Sequence, residues 1–206
     1  MRKLTVMAFL SLDGVVQGPG GSDEDRDGGF RHGGWAVPHI DEQHIKDVGE
    51  FANSASALLV GRRTYDIFAA TWPLAAADDP IGAKMNGVRK YVASRTLSSV
   101  SWQNSTLLTG DVHTAVERLK SSDGGDIQVH GSGAMIQTLL DLVDEFRLYV
   151  FPVLVGSGKR LFGNGTVPAG LRLVEATTSK TGVVAATYTR AGELTYGAMG
   201  PETGNW

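Results

Sequence analysis

Ile127-Gln128-Val129-His130-Gly131-Ser132-Gly133-Ala134-Met135 changes character midway. A short apolar run ends in a Gly-Ser-Gly triplet. The triplet opens a segment, Ser132 to Val143, in which Ile136, Leu139, Leu140 and Val143 share one helical face. A strand that turns at glycine straight into a helix is the recurring join of α/β proteins. Working outward, further apolar runs stand at Leu4 to Leu10, Ala57 to Val60, Lys90 to Ala93 and Leu148 to Phe151. Nearly continuous runs of this kind mark strands buried on both faces of a parallel sheet. Helical patterns lie between them, at Asp41 to Ala52 and Val112 to Lys120. The alternation predicts right-handed crossovers with helices on both faces. After Leu171 the pattern changes. Leu171 to Ala176 and Val183 to Thr189 flank turn residues Ser179 to Gly182, which predicts an appended antiparallel hairpin and therefore a mixed sheet.

Composition bounds the function. The chain has 206 residues, 42% of them apolar, enough for one domain with a large core. We expect a single domain over 1–196 and a flexible tail over 197–206. There is no cysteine, which excludes a disulfide scaffold, thiolate metal sites and a cysteine nucleophile. Nineteen basic against 22 acidic residues leave a net charge of −3, so nucleic acid and anionic membranes are not expected partners. No apolar stretch is long enough to span a bilayer and none reads as a signal peptide, so a cytoplasmic protein is expected. No metal is expected either, because the five histidines fall at no ligand spacing. The 27 glycines are an excess. Several crowd into residues 17–38, a loop long enough to be a lid.

Four elements stand at strand ends. Gly131-Ser132-Gly133 offers bare backbone N–H groups at a helix start, a cradle for phosphate, although Ile136 stands where the dinucleotide fingerprint needs glycine. A tight strand-to-helix turn would explain the same residues equally well. Gly61-Arg62-Arg63-Thr64-Tyr65 places arginine at a helix start, against the dipole unless it faces an anion. Ser94-Arg95 pairs a hydroxyl with a guanidinium, a combination suited to a phosphate monoester. Gly156-Ser157-Gly158-Lys159-Arg160 is no P-loop, because Val153 and Arg160 occupy the diagnostic positions, but Lys159 or Arg160 could meet a substrate phosphate. A solvated basic turn is the plain alternative.

In this order and at these intervals, the motifs resemble the dihydrofolate reductase fold. Phe151 to Phe162, with the Ser11-Leu12-Asp13-Gly14 start, is similar to the reductase domain of riboflavin-biosynthesis deaminase-reductases and their stand-alone relatives. The resemblance runs from about residue 3 to 190. It implies a three-layer α/β fold and an NADPH site. Ala8 and Phe9, with Val15 and Val16, would lie near the nicotinamide. Gly61, Arg62 and Thr64 would hold phosphates, Ser94 and Arg95 the 2′-phosphate. Gly131, Ser132, Gly133, Ala134 and Met135 would cradle the pyrophosphate, with His130 contributing backbone. Trp35, Phe68 and Trp72 would line the substrate pocket, with Gly156, Gly158, Lys159 and Arg160 near the substrate phosphate. Asp13 is the candidate proton donor, with a turn-forming role as the alternative.

Two departures separate the chain from folate reductases. The carboxylate expected on the first helix has four unaligned candidates, Asp41, Glu42, Asp47 and Glu50, and Phe151 stands where a supporting threonine is expected. The zinc signature of the deaminase half needs cysteine, so the expectation is a reduction step alone. The expected activity is NADPH-dependent reduction of a small heterocycle, of the 5-amino-6-(5-phosphoribosylamino)uracil reductase type. A pterin reductase and a non-catalytic NADPH-binding protein are the alternatives. A homodimer through the hairpin would fit the resemblance.

Overall fold

In the computed structural model, residues 1–200 are described; six residues of the expected tail, 201–206, lie outside them. The apolar runs, joined by one further edge strand, form an eight-stranded sheet in the order β4-β3-β2-β5-β1-β6-β8-β7. The strands are β1 (Leu4–Ser11), β2 (Ala57–Gly61), β3 (Arg89–Ala93), β4 (Ser105–Leu108), β5 (Ile127–His130), β6 (Glu145–Phe151), β7 (Leu171–Thr178) and β8 (Val184–Arg190). β1 to β6 pair in parallel, and β8 joins β6 antiparallel before pairing with β7. The hairpin is therefore appended at one edge, as its turn chemistry predicts.

The helices are α1 (Glu42–Ser54), α2 (Arg62–Thr71), α3 (Pro80–Gly87), α4 (Val112–Ser121) and α5 (Gly133–Leu139). Alternation along β1 assigns the layers. Leu4, Val6, Ala8 and Leu10 pack with Val116 of α4 and Ile136 and Leu139 of α5. Met7 faces the other way, into a cluster with Tyr149, Phe151 and the α1 residues Val48 and Phe51. Leu58 and Val60 of β2 sit on that same side, with Tyr65 of α2 and Met85 of α3.

Two elements differ from the sequence reading. The helix expected over Ser132 to Val143 stops at Leu139 and tightens into a 3-10 turn over Leu140–Leu142. Arg190 of β8 donates to the Leu140 and Val143 carbonyls there, so a strand remote in sequence fixes that end. β4 and α3 were not foreseen. β4 is a short, half-exposed edge strand without apolar alternation. α3 carries a local signal, Asp79-Pro80, in which the Asp79 carboxylate caps Ile81 N–H at 2.9 Å. Lys90 of β3 caps its other end. The fully buried ammonium donates to the carbonyls of Met85 (2.8 Å), Asn86 (3.1 Å) and Val88 (2.7 Å) and lies 4.1 Å from the Trp102 ring centroid.

Candidate active site

The carboxyl ends of β1, β2, β3 and β5 open into one cleft of about 1250 Å³. That exceeds the roughly 300–1,000 Å³ usual for one small molecule, so it has room for two ligands together. Parallel strands put the site here, since the turns that follow them collect on one side of the sheet.

Two strand-to-helix turns are joined at its centre. Ser132, between β5 and α5, accepts from Gly61 N–H at 2.8 Å and lies 2.9 Å from the Thr64 hydroxyl of α2. Ser132 has a left-handed backbone, with φ of 61°, which is unusual for a residue with a side chain. Gly131 also has positive φ, 58°. A Cβ on Gly61 would stand 3.0 Å from Ser132 Oγ, and one on Gly133 would stand 2.9 Å from Val16. Side chains at these glycines would collide with Ser132 and Val16, so glycine lets the two turns pack closely, and the N–H groups that open α5 are of a kind that suits an anion such as a diphosphate.

Beyond the cradle lie Arg62, Ser94, Arg95 and Thr96. Arg62 donates to the Thr96 hydroxyl at 2.7 Å. The Ser94 hydroxyl accepts from the N–H groups of Thr96 (3.1 Å) and Leu97 (3.0 Å), which shapes the turn after β3. At the opposite end the walls are apolar, with Phe9, Ile40, Val48, Phe68, Ile81 and Met85. His130 lies between the two ends. Its ring is wholly buried, bonded to Gln128 at 2.9 Å, and burial pushes its pKa down to about 4.

From the loop over residues 17–38, Gln17, Gly18, Pro19, Glu24 and Asp25 line one side of the cleft. The buried side chain of Gln17 donates to the Asp25 and Asp27 carbonyls (3.2 and 3.0 Å) and accepts from Lys159 N–H (3.0 Å). A four-charge clasp then ties the loop down. Arg63 pairs with Asp25 at 2.5 Å and Asp27 at 2.7 Å, and Lys159 pairs with both at 2.8 Å.

Of the residues singled out from sequence, Ala8, Gly61, Arg62, Thr64, Phe68, Trp72, Ser94, Arg95, His130, Lys159 and the run Gly131 to Met135 line this cleft. Val15, Trp35, Gly156, Gly158, Arg160 and Asp13 do not. Val15 is fully buried beneath the cleft floor, in a bridge with Arg160. Trp35 gives its indole N–H to the Gln17 carbonyl at 2.8 Å and packs edge-on against Phe151, so it supports the loop from behind. Gly158 adjoins Phe30 and Val15 and seats the loop rather than a ligand. The Asp13 carboxylate accepts from the Ser11 hydroxyl (2.6 Å) and from the N–H groups of Val155 (3.0 Å) and Gly156 (2.8 Å). These bonds, the Ser11 hydroxyl foremost, hold it far below the usual carboxylate range. Asp13 is therefore a turn former and no proton donor at neutral pH. Arg160 leans on that same carboxylate at 3.4 Å.

Sequence reasoning missed Asp25 and Gln17, which tie the loop beside the cleft. The partners of Asp25 and Gln17 are remote in sequence.

A model of the RibD C-terminal domain family matches residues 2–185. The chain belongs to the RibD C-terminal domain family. Among members and relatives, YyaP of Bacillus subtilis, itself uncharacterized, is 29% identical over 194 residues, covering 91% of this chain and 94% of YyaP. The bifunctional diaminohydroxyphosphoribosylaminopyrimidine deaminase/5-amino-6-(5-phosphoribosylamino)uracil reductase of Thermotoga maritima superposes with a TM-score of 0.61 at 15% identity. The match covers 92% of this chain and 57% of that one. Dihydrofolate reductase of Enterococcus faecalis, solved with NADP(H), gives 0.58 at 11% identity over 91% of this chain and 96% of that one. At such identities the likeness speaks for the fold, which is dihydrofolate-reductase-like. The RibD domain match adds support for a reductase of this family.

Proposed function

We propose that this RibD-type domain is an NADPH-dependent reductase of a small heterocycle, acting on a C=N or C=O carbon. The observation that carries the reading is the cradle joined by Ser132, in a cleft with room for a dinucleotide and a second molecule. A bound reduced nicotinamide supplies the hydride there. The chain's own residues do the rest. Gly61, Thr64 and Gly131 to Met135 shape the diphosphate site, whose donors are the N–H groups of Ser132, Gly133 and Ala134 and the Thr64 and Ser132 hydroxyls, while the Gly61 N–H is spent on Ser132 Oγ. Arg62, Ser94 and Arg95 take the 2′-phosphate, Arg62 as a charge and Ser94 as a hydroxyl. Ala8 and Phe9 form the floor on which donor and acceptor meet. The clasped loop excludes water, which strengthens every polar contact inside.

Among acceptors, 5-amino-6-(5-phosphoribosylamino)uracil is the first to test, given the reaction named for the Thermotoga maritima relative. Its phosphate would need Lys159 released from Asp25 and Asp27. A pterin is the competing acceptor, and the apolar walls around Trp72 and Phe68 favour an aromatic ring. The test is NADPH titration by tryptophan-to-nicotinamide energy transfer, followed by NADPH oxidation with either acceptor. Tight NADPH binding and turnover of one acceptor are expected. Absence of NADPH binding sinks the reading. Binding without hydride transfer to either compound favours a non-catalytic NADPH-binding protein.

A further inference from the structure

The end of the cleft where an acceptor would sit is walled by Phe9, Ile40, Ile45, Val48, Phe68 and Ile81. None of the six is fully buried, and Ile45 of α1 is 55% exposed. Apolar side chains left open together on a concave wall mark a surface that an apolar ligand covers. The α1 side brings no charge to it. Of the four carboxylates there, Asp41, Glu42, Asp47 and Glu50, none lines the cleft. Asp41 caps the helix, accepting from His44 N–H at 2.9 Å. Asp47 accepts from the Tyr149 hydroxyl at 2.6 Å and pairs with Arg147. Glu50 lies 3.8 Å from Lys46. Four other carboxylates do line the cleft, and each is engaged elsewhere. Asp25 belongs to the clasp. Glu24 accepts from the N–H groups of Gly20 (2.6 Å) and Gly21 (3.1 Å). Asp66 lies 3.5 Å from Arg62, and Asp111 caps α4 through Thr114 N–H at 2.9 Å.

The cations on the cleft are committed as well. Arg63 and Lys159 pair with Asp25 and Asp27, and Arg62 and Arg95 stand with Ser94 at the opposite end. His44 and His130 are neutral at neutral pH, because burial lowers both, His130 to about 4. His44 Nε2 and Trp72 Nε1 are buried and offer no donor to a ligand. We propose that the acceptor is an uncharged, phosphate-free fused ring with alkylated edges, of the N-alkylated pteridinedione class, held by apolar contact and protonated by water. The inference rests on the reductase reading above and narrows its acceptor. The amino and ring N–H groups of a 2-aminopteridine would leave water and meet no carboxylate on this wall, and a sugar phosphate would meet no uncommitted cation. In the reduction, the carbon of a ring C=N bond gains its hydrogen and both electrons as hydride from the reduced nicotinamide, whose C–H bond breaks. The C=N π pair moves to nitrogen and spreads into the conjugated carbonyl. That delocalised anion forms without a side-chain acid. Water then gives the nitrogen its proton, and hydroxide is left.

The probes are 1,3-dimethyllumazine, whose pyrimidine edge carries methyl groups in place of N–H, 6-methylpterin, which keeps the 2-amino edge, and 5-amino-6-(5-phosphoribosylamino)uracil. Each is titrated by calorimetry into the whole chain saturated with NADP⁺. We expect 1,3-dimethyllumazine to bind about tenfold tighter than either of the others, the cost of one unpaired polar edge. Val48→Asp sets a carboxylate on the wall. It should tighten 6-methylpterin about tenfold and weaken 1,3-dimethyllumazine. Ile45→Asp, at a more open position that tolerates charge, should move both affinities in the same directions. NADP⁺ binding equal to the parent's shows that a variant folds. The proposal is overturned if 6-methylpterin or the phosphoribosyl compound binds the parent as tightly as 1,3-dimethyllumazine. It is overturned equally if 1,3-dimethyllumazine does not bind a chain that holds NADP⁺, or if the order of affinities is the same in both folded variants as in the parent. A chain that does not hold NADP⁺ would instead overturn the reductase reading.

Discussion

At the scale of single residues, polar groups here act through what surrounds them. Asp13 looks like an acid in the sequence, yet three hydrogen bonds fix it as an ionised brace. Arg62, Ser94 and Arg95 meet at one end of the cleft, as their strand-end positions suggest. Replacing Arg62 by alanine, or Ser94 and Arg95 together, should remove a preference for NADPH over NADH. Equal preference in parent and variants, measured by cofactor titration, would refute that assignment. Lys90 is the opposite case, a cation whose three donors end an internal helix. Lys90→Met should destabilise the fold by about 3 kcal/mol, because buried carbonyls lose charged donors. The midpoint of urea unfolding reads it. Nothing local in Arg89-Lys90-Tyr91 announces this burial. It arises because β3 runs back beneath the end of α3.

At the scale of elements, the joins were legible and the edges were not. Strand, glycine turn and helix follow one another in the local pattern at 127–135 and again at 57–65, and both recur in the fold. The joins are readable because glycine and helical periodicity are local signals. β4 pairs only with β3 and shows no alternation, so its pairing partner defines it. The 156–160 turn shows the cost of a join. Gly158 has φ of 126°, and a Cβ there would lie 2.9 Å from both Phe30 and Val15. Gly158→Ala should cost about 2–3 kcal/mol through backbone strain and overpacking. Thermal unfolding would show it, and a variant as stable as the parent would deny that this turn seats the loop.

At the scale of the molecule, the strand ends make the cleft and a remote loop adds one wall to it. The loop is held by four charges from three segments, and one of them, Lys159, is already paired where a free phosphate binder was expected. Its pH dependence follows from the carboxyls. Hydrogen bonds from Lys159, then Arg63, hold Asp27 down to about 2. Burial pushes Asp25 up, but Lys159 and Arg63 override it and its pKa is lowered too. Both folded pKa values lie below the ordinary 3.8, so the clasp is complete above 3.8 and is lost as pH falls toward about 2. Pepsin should cut near Phe30 slowly at pH 4 and rapidly near pH 2, before far-ultraviolet ellipticity is lost. At neutral pH, trypsin cleavage after Arg26 and Arg31 should speed up in Asp27→Asn and in 1 M salt, where screening shortens to about 3 Å. Cleavage indifferent to both would mean that the charges do not hold the loop.

The sequence by itself determined the alternation of strands and helices, the appended hairpin and the strand-end glycines, because period, turn chemistry and backbone freedom are properties of neighbours along the chain. Ser132 bridging to Gly61 and Thr64, Asp13 held ionised by Ser11, Val155 and Gly156, Lys159 spent on Asp25 and Asp27, and His44 left with an unpartnered Nε2 were decided by the tertiary structure. Whether a polar group is satisfied, screened or exposed to a ligand depends on atoms brought close from segments tens of residues away.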